Sequence, residues 1–462
     1  MFFIDTFDLK GLGNRSYLTG GRETAVAVDP PRDIDQVLTA AARRGVRISH
    51  VVETHVHNDY VTGGLELARV TGAAYLVPAE ARVSFARVPV ADGDTITVDA
   101  GLELRAVATP GHTPHHTSYV LQEHGQPVAA FTGGSLLIGT VGRPDLVEPR
   151  LTERLARAQH ASAHRLAAEL PDETSVLPTH GFGSFCSSAQ AASAQAAPAQ
   201  AEGDATTIGK EKSANAALTT DADTFVVRLL AGLDDIPAYY THMGPANAAG
   251  PAPIDLTPPA VADAEEITAR LAAGEWVVDL RSRVAFAEGH VAGSFNFEAD
   301  GKLATYLPWL IPWGRPVTLL AESPGQLAAA QRELARVGID RPAAAATGTP
   351  RDWLPESDGP VSFPRATFAD LAAHGTDDMV VLDVRRDSER ATGHIEGSVH
   401  IPVHHLPKRL DDVPSGTVWV HCAGGMRAGI AASLLDAAGR DVVAVDDGFD
   451  AAEAAGLTVV TG

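Results

Sequence analysis

The chain of 462 residues contains only two cysteines, Cys186 and Cys422. That scarcity excludes a disulfide framework and leads us to expect a reducing, cytoplasmic setting where one or both thiols react. Lysine is also rare. Arginine carries nearly all the positive charge, and 58 acidic against 36 basic residues leave a formal net charge of −22. Such an acidic surface repels phosphate backbones and anionic lipids, so neither nucleic acid nor membrane is expected as a partner. No apolar run is long enough to cross a bilayer. The opening MFFIDTFDLKG has no basic start and no small-residue cleavage site, so a signal peptide is not expected. Aromatics are thin at 6%, but hydrophobic residues make up 45%, enough for packed cores. Two to four domains are expected at this length.

The stretch that organises the rest is THVHNDYVTGG, residues 54–64. His55, His57 and Asp59 stand at alternate positions just after the apolar run ISHVVE. On a strand end that spacing puts them on one side of the backbone, and a turn there would aim them at one ion. Polar groups at the end of a buried strand are costly unless something pairs with them. Further candidate ligands are His112 in TPGHTPHH, with His115 and His116 beside it, and His180 in PTHGFGSFC. Around them, strand patterns alternate with helical ones over 33–44, 65–72 and 151–170. Residues 187–205 are low in complexity and read as a loop or partly helical excursion. FVVRLLAGL, 225–233, reads as a helix packing on the first domain. The Pro-, Gly- and Ala-rich run 242–259 reads as an interdomain linker.

The remainder is an internal repeat. Asp279-Leu280-Arg281 and the GHVAGS at 289–294 recur as Asp383-Val384-Arg385 and the GHIEGS at 393–398, in register throughout. In the second copy Cys422 sits between the strand TVWVH and a helix, followed by Ala423, Gly424, Gly425, Met426 and Arg427. A thiol facing the unpaired amides of a helix N-terminus, with an arginine nearby, suits a negatively charged terminal sulfur. Cys422 and Arg427 are the catalytic candidates, with residues 423–426 cradling the sulfur donor. The first copy has Ala321 at the corresponding place and is expected to be inactive.

Together these motifs resemble the metallo-β-lactamase superfamily, in the branch of glyoxalase II and the persulfide dioxygenases, fused to two rhodanese-like domains. The resemblance implies an αββα sandwich over 1–250 and two α/β domains over 260–355 and 361–462. It also implies a first metal site at His55, His57 and His112, and a second that uses Asp59 and His180. Two positions depart from the pattern: Tyr60 stands where a histidine is usual, and Thr132-Gly133-Gly134 where the bridging aspartate would be. The two-metal hydrolase site therefore lacks two ligands, and the dioxygenase site lacks its carboxylate. One mononuclear ion on His55, His57 and His112 is expected, Fe(II) in preference to Zn(II). Asp59, Arg143, His180, Cys186, Lys210 and Lys212 are the candidates for substrate contact, with Arg143 tied to Asp145 or to loop carbonyls. The expected reaction is oxidation of a low-molecular-weight thiol persulfide to sulfite and thiol, coupled to sulfur transfer from thiosulfate or a related donor. A zinc-dependent thioesterase, or a sulfurtransferase on an inert scaffold, is the alternative. A homodimer is left open, as is the choice among thiol carriers.

Overall fold

The N-terminal alternation of apolar and polar residues builds three antiparallel strands, Phe3–Leu9, Asn14–Gly20 and Thr24–Val28. In the computed structural model, which describes residues 2–181, 183–188, 205–299, 302–375 and 379–461, they open the first of two six-stranded sheets. The excursion expected at 187–205 falls outside the described residues except at 187, 188 and 205. The chain divides into two units: Met1–Ile254 with Arg336–Gly338, and Asp255–Ala335 with Ile339–Gly462.

In the first unit the sheets face each other across a core that takes Tyr17, Val28 and Val52 from one and Leu104, Tyr119 and Phe131 from the other. Tyr17 and Phe131 meet at 5.2 Å between ring centroids. Truncating a buried aromatic of this kind to alanine costs about 3–5 kcal/mol. Helices Asp35–Arg44 and Gly64–Thr71 cover the outer face of the first sheet. Helices Thr152–Glu169 and Ala222–Ala231 cover the second. This is the expected helix–sheet–sheet–helix order. Strand direction gathers the ligand-bearing loops. Leu102–Ala108, Gln126–Gly133 and Ser175–Pro178 all run the same way, so their C-terminal ends emerge on one edge. In the first sheet, Thr24–Val28 and Arg47–Val52 are likewise parallel.

One expectation is corrected. The first part of the run read as linker, 242–249, belongs to a helix, Tyr240–Ala249, despite an internal Pro245. Its composition suggests a loop, but Tyr240, Met243 and Asn247 are buried, so tertiary packing overrides local propensity.

The second unit holds two five-stranded parallel sheets with corresponding strand order. The first runs Ala260–Val261, Ala344–Thr347, Val317–Ala321, Trp276–Asp279, Phe295–Asn296. The second runs Arg365–Ala366, Val442–Val445, Val418–His421, Val380–Asp383, Val399–His400. The repeated motifs make one device twice. Arg281 clasps Asp279 and reaches the Gly289 carbonyl at 2.7 Å; Arg385 clasps Asp383 and reaches the Gly393 carbonyl at 2.8 Å. Each arginine also lies over an aromatic face, Trp353 or Phe449. These buried, bidentate pairs fasten the strand end to the following turn. Register fixes the nucleophile position as well. Asp279 pairs with Leu320 and Asp383 with His421, so the next residues, Ala321 and Cys422, correspond. No helix among the described residues is long and apolar enough to cross a membrane.

Candidate functional sites

Asp29 caps the strand Thr24–Val28 with φ of 48°, a left-handed conformation that a non-glycine residue rarely holds. It is kept there by donors from both sheets. Thr54 gives its N–H at 2.7 Å and its hydroxyl at 2.8 Å, and the Thr179 hydroxyl adds a further bond. Thr54 precedes His55 and Thr179 precedes His180, so one carboxylate ties the two histidine-bearing loops together.

The positions of the imidazole protons are set by their partners. The Thr54 hydroxyl donates to Asp29, so His55 Nδ1, 2.8 Å away, donates to Thr54. His112 Nδ1 lies 2.9 Å from the Arg143 carbonyl and can only donate to it. His180 Nδ1 faces Asn14 Oδ1 at 3.1 Å and Asp59 Oδ2 at 3.2 Å. All three rings therefore carry the proton on Nδ1 and point an Nε2 lone pair inward. His55 Nε2 and His180 Nε2 stand 3.3 Å apart, and among the described residues His112 Nε2 has no partner. The three donor atoms lie within 4.8 Å of one another, and the residues are fully buried. Lone pairs converging in a buried space repel unless a cation joins them, which is how a metal site presents itself.

This grouping differs from the sequence expectation, which placed His57 rather than His180 in the trio. His57 turns its Nε2 to Glu53 (3.1 Å), Asp29 (3.2 Å) and the Tyr60 hydroxyl (3.2 Å). Burial would lower its pKa, but the Asp29 and Glu53 carboxylates raise it to about 10. Among the described residues its Nδ1 has no partner, nor does Asp59 Oδ1, and His57, Asp59 and His180 form a second close set sharing His180. Position 134 is closed. A Cβ on Gly134 would lie 2.2 Å from His112 Cδ2, so no side chain enters there while His112 keeps its place. The Gly134 N–H donates to His116 Nε2 at 3.0 Å, which occupies that nitrogen, and burial holds His116 near pKa 3.

Several residues of this region escape sequence inspection. Asn247 receives the Thr62 N–H on its Oδ1 and donates to the carbonyls of His57 and Tyr60, both at 2.8 Å, pinning the ligand loop. Asn14 holds Asp59 at 2.7 Å. Only Asp29 and Glu53 carry a legible signal, as acidic residues closing the apolar runs AVAV and ISHVV.

The remaining candidates are dispersed. Arg143 is buried and fully engaged, by Asp145 at 2.7 and 2.8 Å and by the carbonyls of Phe185 and Asp234. It shapes its loop and has little left to offer a substrate. Cys186 is buried with Sγ 3.9 Å from the Tyr240 hydroxyl; burial, reinforced by the Asp59 carboxylate, pushes its thiol up. Lys210 and Lys212 are exposed on helix Ile208–Ala214, Lys212 bonded to Asp172 at 2.5 Å.

In the second unit Cys422, 2% exposed, follows the strand Val418–His421 and precedes helix Met426–Ala437. Gly425, at φ 87°, makes the turn into the helix, and a Cβ there would strike Asp446. The Ala423 carbonyl accepts from Phe449 N at 3.0 Å. Arg427, expected to add positive charge near the sulfur, is also locked to Glu389 by two bonds of 2.5 and 2.7 Å. Burial works against the Glu389 carboxylate, but Arg427 holds it down at about 2. Removing one partner leaves a buried charge alone, so Glu389→Ala should cost about 3–5 kcal/mol in denaturant unfolding. The pair's stabilisation is complete above the ordinary value of 4.5 and fades as pH falls towards about 2. The stability gap between the parent and Glu389→Gln should close over that window.

The profile of the metallo-beta-lactamase superfamily matches residues 16–180, and that of the rhodanese-like domain residues 367–455. Human mitochondrial persulfide dioxygenase ETHE1 is 30% identical over 219 residues, which are 46% of this chain and 74% of that one. Hydroxyacylglutathione hydrolase of Polaromonas sp. is 30% identical over 240 residues, covering 48% and 88%. Among solved structures, a metallo-beta-lactamase from Staphylococcus aureus subsp. aureus COL superposes with a TM-score of 0.65 at 26% identity, covering 75% of this chain and 98% of that one. With its sandwich, its histidine cluster and its strand–Cys–helix loop, the chain belongs to the metallo-beta-lactamase superfamily, related to the persulfide dioxygenases, and carries a rhodanese-like domain.

Proposed function

We propose that the chain is a two-centre sulfur enzyme: a mononuclear iron site oxidises a thiol persulfide, and Cys422 carries sulfane sulfur. In this reading the domains are 1–250, 260–355 and 361–462, the middle one a rhodanese-like copy without a nucleophile. The observation that carries the metal reading is the convergence of three Nε2 lone pairs on His55, His112 and His180, each Nδ1 proton being spent on an oxygen. These three residues would hold the ion, and Fe(II) would supply the electrons that activate dioxygen. Asp59 and Asn14 keep His180 in its tautomer, and Asp29 sets the distance between the His55 and His180 loops. The overall conversion is RSSH + O2 + H2O giving RSH, sulfite and two protons. Similarity to persulfide dioxygenase supports the substrate class.

A second reading is a zinc hydrolase acting on thioesters. It is favoured by the unpartnered His57 Nδ1 and Asp59 Oδ1, which with His180 could hold a second ion. The test combines metal analysis of the purified full chain with oxygen uptake and sulfite release on glutathione persulfide. One iron per chain with uptake matching sulfite is the expected result. Zinc with S-acyl thiol hydrolysis and no uptake would replace the first reading by the second.

A further inference from the structure

The repeat that lacks a nucleophile is laid along the helix after Cys422. Asn296 N–H donates to Ser433 Oγ at 3.0 Å, and His290 Nε2 meets Asp436 at 3.0 Å. Arg283 lies across the start of the same helix. A Cβ added at Gly429 would stand 2.9 Å from the Arg283 Cβ, and one added at Gly425 would stand 3.1 Å from its Nε. Positions 429, 433 and 436 fall on one face of Met426–Ala437. The hold of the first copy therefore reaches the turn through which the Cys422 loop enters the helix.

At that turn stands a carboxylate. Asp446 ends the strand Val442–Val445, the neighbour of the strand that leads to Cys422, and packs on Gly425, where any Cβ would strike its Oδ1. Its side chain is 12% exposed. The charge of Arg427 is already matched by Glu389. A bare carboxylate against this loop would repel both a negative terminal sulfur and an anionic donor. Two guanidiniums answer it, one from each copy. Arg283 Nε reaches Asp446 Oδ1 at 2.8 Å, and Arg365 Nη1 reaches Oδ2 at 2.6 Å. Arg283 also binds Glu298 of its own copy, through its N–H at 2.7 Å and its Nη1 at 3.1 Å. Glu298, Arg283, Asp446 and Arg365 make a row of alternating sign and no net charge that spans the two copies. One repeat later the place of Arg283 is taken by Asp387, so this arginine is no part of the duplicated clasp.

We infer that Arg283 is a positioning residue for sulfur transfer: supplied by the copy without a nucleophile, it pins and neutralises Asp446 so that the Cys422 loop admits an anionic sulfur donor. The inference rests on Cys422 being the sulfur carrier. In the step that Arg283 serves, the Cys422 thiolate attacks the outer sulfur of thiosulfate. The new S–S bond forms as the old one breaks, and sulfite leaves with the bonding pair: Cys–S⁻ + S2O3²⁻ gives Cys–S–S⁻ + SO3²⁻. Cyanide then takes the outer sulfur as thiocyanate and restores the thiolate.

The test is Arg283→Met in the full chain, which keeps an apolar stem of similar reach and removes the charge. One negative charge in the row is then unmatched, and the KM for thiosulfate should rise about tenfold, with the KM for cyanide unchanged. Arg283→Lys, which keeps the charge, should stay near the parent. Adding Asp446→Asn to Arg283→Met returns the row to no net charge and should restore the parent KM, which it would not do if Arg283 served packing alone. Asp446→Asn by itself leaves Arg283 in place with one surplus positive charge and should lower the thiosulfate KM severalfold. An unchanged KM in Arg283→Met, a raised KM that Asp446→Asn fails to restore, or no fall in Asp446→Asn alone overturns the inference. Run alongside, Cys422→Ser separates the two claims. An inactive serine variant with an unaltered Arg283→Met sinks only the role of Arg283, whereas an active serine variant sinks the carrier itself.

Discussion

Cys422→Ser should bring thiosulfate-to-cyanide transfer down to background, roughly a thousandfold or more, with the metal content of the chain unchanged. A serine oxygen can occupy the same turn but cannot hold a sulfane sulfur, so no persulfide intermediate forms. A thousandfold is about 4 kcal/mol of transition-state stabilisation, more than substitution of any surrounding group should remove. The turn itself tolerates the change. Cys422 is packed between a strand and a helix whose geometry is set by Gly425, Phe449 and the Glu389–Arg427 pair, and the thiol takes no part in those bonds. Thiocyanate release and intact mass after incubation with thiosulfate read the outcome directly. Transfer persisting at the parent rate would show that the sulfur travels by another route.

The second large effect concerns the histidines. His112→Ala and His180→Ala should each lower metal affinity by well over the 10–100-fold that loss of a supporting group produces. His57→Ala should stay within that range, because His57 Nε2 is committed to Glu53 and Asp29. The reverse ranking, with His57 mattering more than His180, would restore the trio expected from sequence. Gly134→Asp makes a sharper test. A return of the carboxylate usual at that position would nominally complete a dioxygenase site, yet its Cβ would displace His112. Metal content should therefore fall. A rise, with faster persulfide oxidation, would mean that His112 moves aside readily and that the geometry at 134 is no barrier.

The architecture was largely legible because its signals are local. Strand alternation in 1–30, the helical spacing at 35–44, 64–71 and 152–169, and the doubled DxR and GHxxGS elements all describe short stretches. The site was legible only as a set of donors. Which nitrogen of each histidine is free depends on residues far along the chain: Asn14 decides for His180, and the Arg143 carbonyl for His112. The family resemblance favoured His57 over His180, and a motif match does not show that Glu53 and Asp29 hold the His57 ring. Nor could the Arg427 motif show its ion pair, whose partner Glu389 lies 38 residues earlier. The helix at 240–249 was hidden by composition, and its Asn247 works through backbone carbonyls 187 and 190 residues away.

The doubled aspartate–arginine clasp has a consequence for how such chains change over generations. Asp279 with Arg281 and Asp383 with Arg385 fasten their copies almost identically, although only one copy has a cysteine at the end of its central strand. What makes a copy fold is thus written in different residues from what would make it react. Mutation at position 321 could erase a nucleophile without weakening the copy that bore it, leaving an intact body free to be recruited for holding its neighbour. Searches that count clasps in other sequences will count folded copies, and only the residue after the strand will say how many of them do chemistry.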